Sequence, residues 1–376
     1  MKGIFFSSAY GHNLEFIHHL YMAFLEDGSD VVFILPDHFL KQKEKMLWPQ
    51  ADNIRFDLIP SDEVFFSKSY HPLCSEYKIA KTLKRYLKKN NVSEAFLADL
   101  FVMMPFLPFF FCSHKYSLHG LIWKIHLYRW KERKWYGKLY DTIYYYLMAK
   151  CRGLKHIYVG NDRSAPIYYN KLYNTKKFKY IPDPFNKIDV PYKDMRKEYG
   201  IPDGKIVLYH FGSMGGRKGT REILQSILDM DEEERSKYVF VFAGLIRDKQ
   251  GFYPYIDRLM NKDCVRIFDT FCDFDFLQQW CMCCDAILIP YTQSHQSSGV
   301  LGYAAQYHKP VIGPGFGLIG KLIRRNHLGI TLPAITSKGL RESYCAVKQW
   351  TYKETDYLET NSVRRFTDIV VQDLKN

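Results

Sequence analysis

The chain alternates short apolar runs with longer stretches in which apolar residues recur every three or four positions. In the first part GIFFSS (3–8), VVFILP (31–36) and AFLADLFVMM (95–104) read as strands, and HNLEFIHHLYMAFLEDG (12–28) reads as an amphipathic helix. This order predicts βαβ units around a parallel sheet. Pro182, Pro184 and Pro191 in IPDPFNKIDVPYK interrupt any regular element, so a linker is expected at 184–192. The alternation then restarts. KIVLYHFG (205–212), YVFVFAG (238–244), CVRIFD (264–269), DAILIPY (285–291) and KPVIG (309–313) read as strands, separated by TREILQSIL, DFLQQWCMCC, GVLGYAAQYH and LIGKLIRRN as helices. The expectation is an α/β protein of two Rossmann-like domains, 1–183 and 193–358, with a last helix in 359–376 docking back on the first. Ligands of such sheets bind beyond the carboxyl ends of the strands, here in a cleft between the domains.

Composition narrows the class. A length of 376 residues suffices for two buried cores, and 47% hydrophobic with 25% charged residues excludes a disordered or low-complexity chain. The start, MKGIFFSSAYGHN, is a strand followed by a loop and not a signal peptide, so a cytoplasmic location is expected. Phe101 to Cys112 is a long apolar run, but Pro105 and Pro108 break it well short of the ~20 residues a membrane span needs. Nine cysteines without a regular framework suit free thiols in a reducing compartment. Cys281 and Cys284 form a CxxC that closes a helix instead of opening one, and no second pair completes a zinc set, so buried structural thiols are expected.

Charge then adds a class of partner. Lys and Arg number 53 against 40 Asp and Glu, a net +13 that favours phosphate-bearing partners. Residues 115–155 interleave ten Lys/Arg with ten Trp/Tyr against only Glu132 and Asp141. Such a stretch fits a helical surface lying on anionic lipid headgroups, or a solvated helix pair whose aromatics pack on the sheet. Nucleic acid is disfavoured, because no recognition motif accompanies the patch.

Two segments carry candidate chemistry. In FGSMGGRKGTREIL, Gly212, Gly215, Gly216 and Gly219 surround Arg217 and Lys218 between a strand and a helix, an arrangement that lets amides and cations approach a phosphate. It is not a Walker loop, since no Ser/Thr follows the lysine at the required spacing. Beyond DAILIPY, Ser297, Ser298 and Gly299 open a helix, and the serines are expected to serve as N-cap and first-turn donors to the same diphosphate. Gly315-Phe-Gly317-Leu-Ile-Gly320 fits GxGxxG, but GITLPA ends without an acid for a ribose, so no nicotinamide site is expected. Asp273-Phe-Asp275 fits the DxD of metal-dependent transferases, yet it precedes a helix and Asp275 is read as its cap.

The order FGSMGGRKG, AGL, FDTFC, DAILIPY, SSGVLGYAAQYHKPVIGPGFG resembles the C-terminal domain of GT-B glycosyltransferases related to family 4 (glycosyltransferase group 1). In that family Gly-Arg-x4-Lys-Gly holds the donor diphosphate and Glu-x7-Glu precedes a Gly-Lys-Pro-Val strand. Gly212 and Lys218 match the first segment, with Ser213 in the arginine slot and Arg217 close enough to compensate. Both glutamates are absent, His295 and Tyr303 standing in their places. Gly11-His12 resembles the acceptor-side glycine loop, and His119, in SLHGL, stands where relatives carry a histidine facing the donor sugar.

The resemblance implies a GT-B fold and a hexosyltransferase that moves a sugar from a nucleotide-diphosphate donor to a saccharide or lipid-linked acceptor. Retention, no cofactor, no metal, a role in cell-surface polysaccharide synthesis and a peripheral position on the inner membrane face complete the expectation. The implied catalytic pair is Lys218 and His119. A nucleotide-sugar epimerase on the same fold, and a non-enzymatic basic module for anionic membranes or nucleic acid, are the alternatives.

Overall fold

The computed structural model describes residues 1–64, 71–259 and 262–375. Two compact units emerge, residues 1–126 with 130–184 and 361–376, and residues 127–129 with 185–360.

The first unit carries β1 (Lys2–Phe5), β2 (Val31–Pro36), β3 (Ile54–Ile59), β4 (Glu94–Leu97), β5 (Ser117–Ile122), β6 (Leu154–Gly160) and β7 (Phe178–Ile181). They form one parallel sheet in the order β3-β2-β1-β4-β5-β6-β7. β2 is buried at all six positions, which is why it reads as a continuous apolar run and not as an alternating one. Helix His12–Asp27 covers one face with Phe16, Ile17, Leu20 and Phe24, and the C-terminal helix Val363–Asp373 packs beside it through Phe366, Val370 and Val371.

The second unit carries β8 (Ile206–Phe211), β9 (Tyr238–Ala243), β10 (Val265–Phe268), β11 (Ala286–Leu288), β12 (Val311–Pro314) and β13 (Gly329–Leu332), parallel in the order β10-β9-β8-β11-β12-β13. Its core joins Leu208, Phe240, Phe242 and Leu288 of the sheet to Ile223, Leu224 and Ile227 of helix Thr220–Leu228 and to Tyr344. In both sheets chain order reverses at one place, between β1 and β4 and between β8 and β11, the position at whose carboxyl end sheets of this kind bind their ligands.

Three expectations change. Residues 115–155 are not wholly helical: β5 occupies 117–122 in the middle of the sheet, and the long helix begins only at Trp135. Asp273, not Asp275, caps helix Phe274–Cys283, accepting from the Phe276 amide at 2.7 Å. The expected burial of the CxxC thiols is seen: Cys281 and Cys284 are buried, as are Cys151, Cys264 and Cys283, while Cys74, Cys112 and Cys345 are exposed and Cys272 is intermediate. The serine pair does not cap its helix. Val300–Gln306 starts after Gly299, which is already helical at φ −58°, ψ −19°, and no side chain caps it. Among the described residues no helix is long and apolar enough to cross a membrane.

Candidate functional site

The switch point of the second sheet gathers the glycine-rich loop after β8 and the loop after β11. Gly212 sits at φ +89°, a backbone region that favours glycine, and a Cβ there would lie 2.6 Å from Lys218 Nζ. The missing side chain is what lets the ammonium fold back over the strand end, where it donates to the Phe211 carbonyl at 3.2 Å. Gly219, at φ +71°, opens helix Thr220–Leu228 against the Pro290 carbonyl, which a Cβ would strike.

Thr292 stitches the two loops together: its amide donates to Arg217 O at 3.0 Å and its hydroxyl to Gly216 O at 3.2 Å. Between them lies Tyr291, whose ring has the Arg217 guanidinium 5.3 Å and the Lys218 ammonium 5.7 Å from its centre, within cation–π range. The Tyr291 hydroxyl meets Ser298 Oγ at 3.2 Å. Lys218 and Ser298 therefore both flank one aromatic side chain. Beneath them His210, buried on β8, contacts Leu288 O of β11 through Nδ1 (2.8 Å) and Thr220 Oγ1 through Nε2 (3.0 Å). The carbonyl can only accept, so Nδ1 carries the proton. Burial, helped by Lys218, pushes the imidazole pKa down to about 4 and keeps it neutral.

Ser213, in the slot where an arginine was expected, is itself supplied with one: Arg247, from the loop after β9, donates Nε to Ser213 Oγ at 3.1 Å. The Arg247 amide is pinned to Met214 O at 3.0 Å, so the guanidinium is carried by the glycine loop's own backbone. Sequence reasoning missed Arg247 and Tyr291. Their proximity comes from strand order, β9 and β11 lying on either side of β8.

Arg217, Lys218 and Arg247 make no ion pair within 4.0 Å among the described residues, and Arg217 Nη1 is buried with no hydrogen-bond partner among them. A buried guanidinium N–H left unmade costs at least about 1–3 kcal/mol, and an acceptor placed beside it would recover that cost. The two residues in the glutamate slots differ in setting. His295 is buried at the loop that Ser294 fastens to Phe316 and Leu318, while Tyr303 packs its ring edge-on to Phe185 and Phe211. Ser297 is half-buried and Gly299 exposed.

The chain superposes over its full length on WaaG, a glycosyltransferase involved in lipopolysaccharide biosynthesis, with a TM-score of 0.72 at 14% identity over 100% of both chains. It matches HepE of Anabaena in complex with UDP, TM-score 0.70 at 13% identity over 100% of both chains, and the trehalose-6-phosphate synthase OtsA, TM-score 0.70 at 9% identity over 100% of this chain and 99% of that one. The fold is GT-B. No family profile matches the sequence, and no curated protein resembles it significantly in sequence.

The first unit offers its own set at the strand ends. The Ala9 amide, after β1, donates to His38 Nε2 at 3.1 Å, which fixes the other proton on Nδ1, 3.0 Å from Ser61 Oγ; the Ser61 hydroxyl in turn donates to Asp37. That hydrogen bond holds the Asp37 carboxyl below the usual range. Tyr10 stacks on His38 with centres 4.1 Å apart and stays half exposed, next to Gly11 at φ +57°. His12 begins the following helix with its side chain 83% exposed and Nδ1 3.2 Å from Glu15. After β4, at the sheet's switch point, Asp99 accepts from the Phe101 amide at 3.0 Å and burial raises its pKa. The signal that could have found it is an acid interrupting the apolar run AFLADLF.

His119 is placed elsewhere. It is the third residue of β5, 1% exposed, three positions short of the strand's carboxyl end, and its ring faces His156 and the C-terminal helix. A side chain in the body of a strand is committed to a sheet face, so this histidine lies away from the strand-end loops that carry the rest of its unit's candidates.

Proposed function

We propose that the chain is a glycosyltransferase that takes a sugar from a nucleotide-diphosphate donor to a saccharide or lipid-linked acceptor in cell-surface polysaccharide synthesis. The observation that carries this reading is the cluster of Arg217, Lys218 and Arg247 at the switch point, with a buried guanidinium N–H awaiting an acceptor. The HepE structures in complex with UDP and UDP-glucose support a donor of that type.

Transfer breaks the anomeric C–O bond, whose electron pair leaves with the diphosphate, while the acceptor oxygen forms the new bond and gives up its proton, which the departing diphosphate oxygen takes. Lys218 and Arg217 meet the growing charge on the departing oxygen, a task for preorganised cations that needs no added divalent ion. Loop amides from Ser297 to Val300 add donors, in the manner of a nest instead of a capped helix. Gly11, His12 and Asp99 are assigned to the acceptor side. The resemblance to family 4 favours retention of configuration.

One surface of the first unit favours a peripheral position on the membrane. Helix Trp135–Lys150 buries Tyr144, Tyr145 and Met148 but exposes Trp135 (76%), Tyr136, Leu139, Tyr140, Ile143 and Tyr146 along one stripe. Ile167 (70%), Tyr168 and Leu172 of helix Ala165–Tyr173 continue it, Tyr146 lying edge-on to Tyr173. Asp141 is buried in a two-point pair with Arg133 (2.9 and 2.6 Å), so the exposed charges near the stripe are Lys131, Lys134 and Lys150 against Glu132, with Lys138 half-buried. Exposed rings framed by cations fit an anionic bilayer surface.

The donor reading is tested by thermal unfolding with UDP and GDP at millimolar concentration. A ligand present at 100 times its Kd stabilises by about 2.7 kcal/mol, which a melting curve resolves. The expected result is a rise with one nucleotide that Lys218→Ala removes; a Lys218→Ala protein that turns over donor as fast as the parent refutes the assignment.

A further inference from the structure

The histidine that the donor site does not use belongs to a second cluster. His119 and His156 are register partners on adjacent strands β5 and β6, so both rings leave the same face of the sheet. Their Nδ1 atoms lie 3.1 Å apart. The C-terminal helix brings Asp373 to them, with Oδ2 2.7 Å from His156 Nδ1, and the three donor atoms all fall within 4.8 Å of one another.

This geometry over-subscribes His156 Nδ1. Besides Asp373 and His119 it has the Lys179 ammonium at 3.4 Å. A proton on Nδ1 serves the carboxylate and leaves Lys179 facing an N–H. A lone pair there serves Lys179 and leaves it facing the lone pairs of the carboxylate. His156 Nδ1 cannot serve Asp373 and Lys179 at once, whereas a cation in the place of the ammonium takes a lone pair from all three side chains. At metal–ligand distances of about 2.0–2.1 Å a tetrahedral site has donors roughly 3.3 Å apart; the 3.1 Å between the two Nδ1 atoms is near this, and the 2.7 Å from His156 to Asp373 is the hydrogen-bond distance that has to lengthen when a cation enters.

The surroundings are those of a metal ligand set. His119 Nε2 has Glu94 Oε1 at 3.6 Å and Ser117 Oγ at 3.5 Å, groups that orient the ring and direct Nδ1 inward. The Tyr158 hydroxyl donates to the Asp373 carboxylate and fixes it. Lys179, also 3.6 Å from Asp373, is half exposed and free to swing into water when a divalent cation takes its place.

We propose that His119, His156 and Asp373 bind Zn²⁺ and so fasten the C-terminal helix to the first sheet. Two imidazoles and one carboxylate suit this borderline ion, and a water completes the fourth position. The site is independent of the transferase reading: it uses none of the residues assigned to donor or acceptor.

The test uses the full chain, freed of metal by chelation and gel filtration, with ZnCl₂ alone as probe and melting temperature and calorimetric stoichiometry as readouts. One equivalent of Zn²⁺ and a raised melting temperature are expected, unchanged in Lys218→Ala. Asp373→Ala should weaken binding by at least about tenfold, and Lys179→Met, which removes the competing ammonium, should tighten it. Co²⁺ substitution separates this site from the exposed thiols, since nitrogen and oxygen ligation gives visible bands without thiolate charge transfer. Equal Zn²⁺ affinity in the parent and Asp373→Ala, a cobalt spectrum dominated by thiolate bands, or no stoichiometric uptake by the parent would overturn the proposal.

Discussion

Gly212→Ala perturbs the donor site at one atom and can be worked through from the coordinates. The residue holds φ at +89°, so any Cβ brings backbone strain of about 1–2 kcal/mol. The added methyl would also lie 2.6 Å from Lys218 Nζ, and the flexible lysine, not the strand, has to give way. The ammonium then leaves the position from which it meets a phosphate. A charge-assisted hydrogen bond is worth about 1.5–3 kcal/mol, so UDP affinity should fall by roughly 10- to 100-fold. The assay is a double-mutant cycle in UDP binding by calorimetry, with melting temperature followed in parallel. Gly212→Ala should cost affinity in the parent and little more in a Lys218→Ala background, while its cost in stability persists in both. Additive losses of affinity would show that glycine and lysine act separately and would refute the reasoning.

Arg247→Ala should lower UDP affinity by about tenfold and leave stability within about 0.5 kcal/mol, since among the described residues this exposed side chain hydrogen-bonds only Ser213; adding Ser213→Arg should restore binding in calorimetry. Asp99→Asn should raise the KM for acceptor without changing UDP affinity, read from initial rates against titration, because its carboxyl lies at the first sheet's switch point. Glu76, held at 3.0 Å by the Tyr144 hydroxyl, has its pKa pushed up to about 7 by burial, so its contribution to stability is present below pH 4.5 and lost as pH rises to 7. Glu76→Gln should thus be near neutral at pH 4.5 and stabilising by about 1 kcal/mol at pH 8, after discounting for its partial solvent exposure, as followed by urea unfolding. Replacing Trp135 and Ile143 together with serine should abolish co-sedimentation with anionic vesicles and spare UDP binding, both side chains being exposed on the helix stripe.

How much of this was legible depended on whether the signal was local. β2, β8 and β9 are buried at every position and announce themselves as apolar runs. β3 carries Arg55 and Asp57 because it is a sheet edge, and so no such run formed. β5 was hidden by His119 and Gly120. The glycine is required because the Leu100 side chain fills the space of its Cβ, and the dense cations and rings that follow turned the whole stretch toward a helical reading. The glycine-rich loop was legible because its glycines and cations are contiguous, whereas Arg247 and Tyr291 reach it only through the order β9-β8-β11, which no spacing along the chain encodes.

The misplaced serine cap has a more specific cause, with a consequence for the chemistry. A capping serine needs extended backbone at the N-cap, so that its hydroxyl can turn back to the free amides. Gly299 takes that position in helical geometry, and Ser298 Oγ is left to Tyr291. The seven-residue helix Val300–Gln306 is therefore a weak dipole with an uncapped mouth, and the duty of meeting an anion shifts to side chains. Arg217 and Lys218 come from the loop after β8 and Arg247 from the loop after β9, with Tyr291 bracing the first two. Arg247 stands on the loop after the neighbouring strand and is held there by Ser213, which is why a motif search over the glycine-rich loop alone finds only two of these three cations.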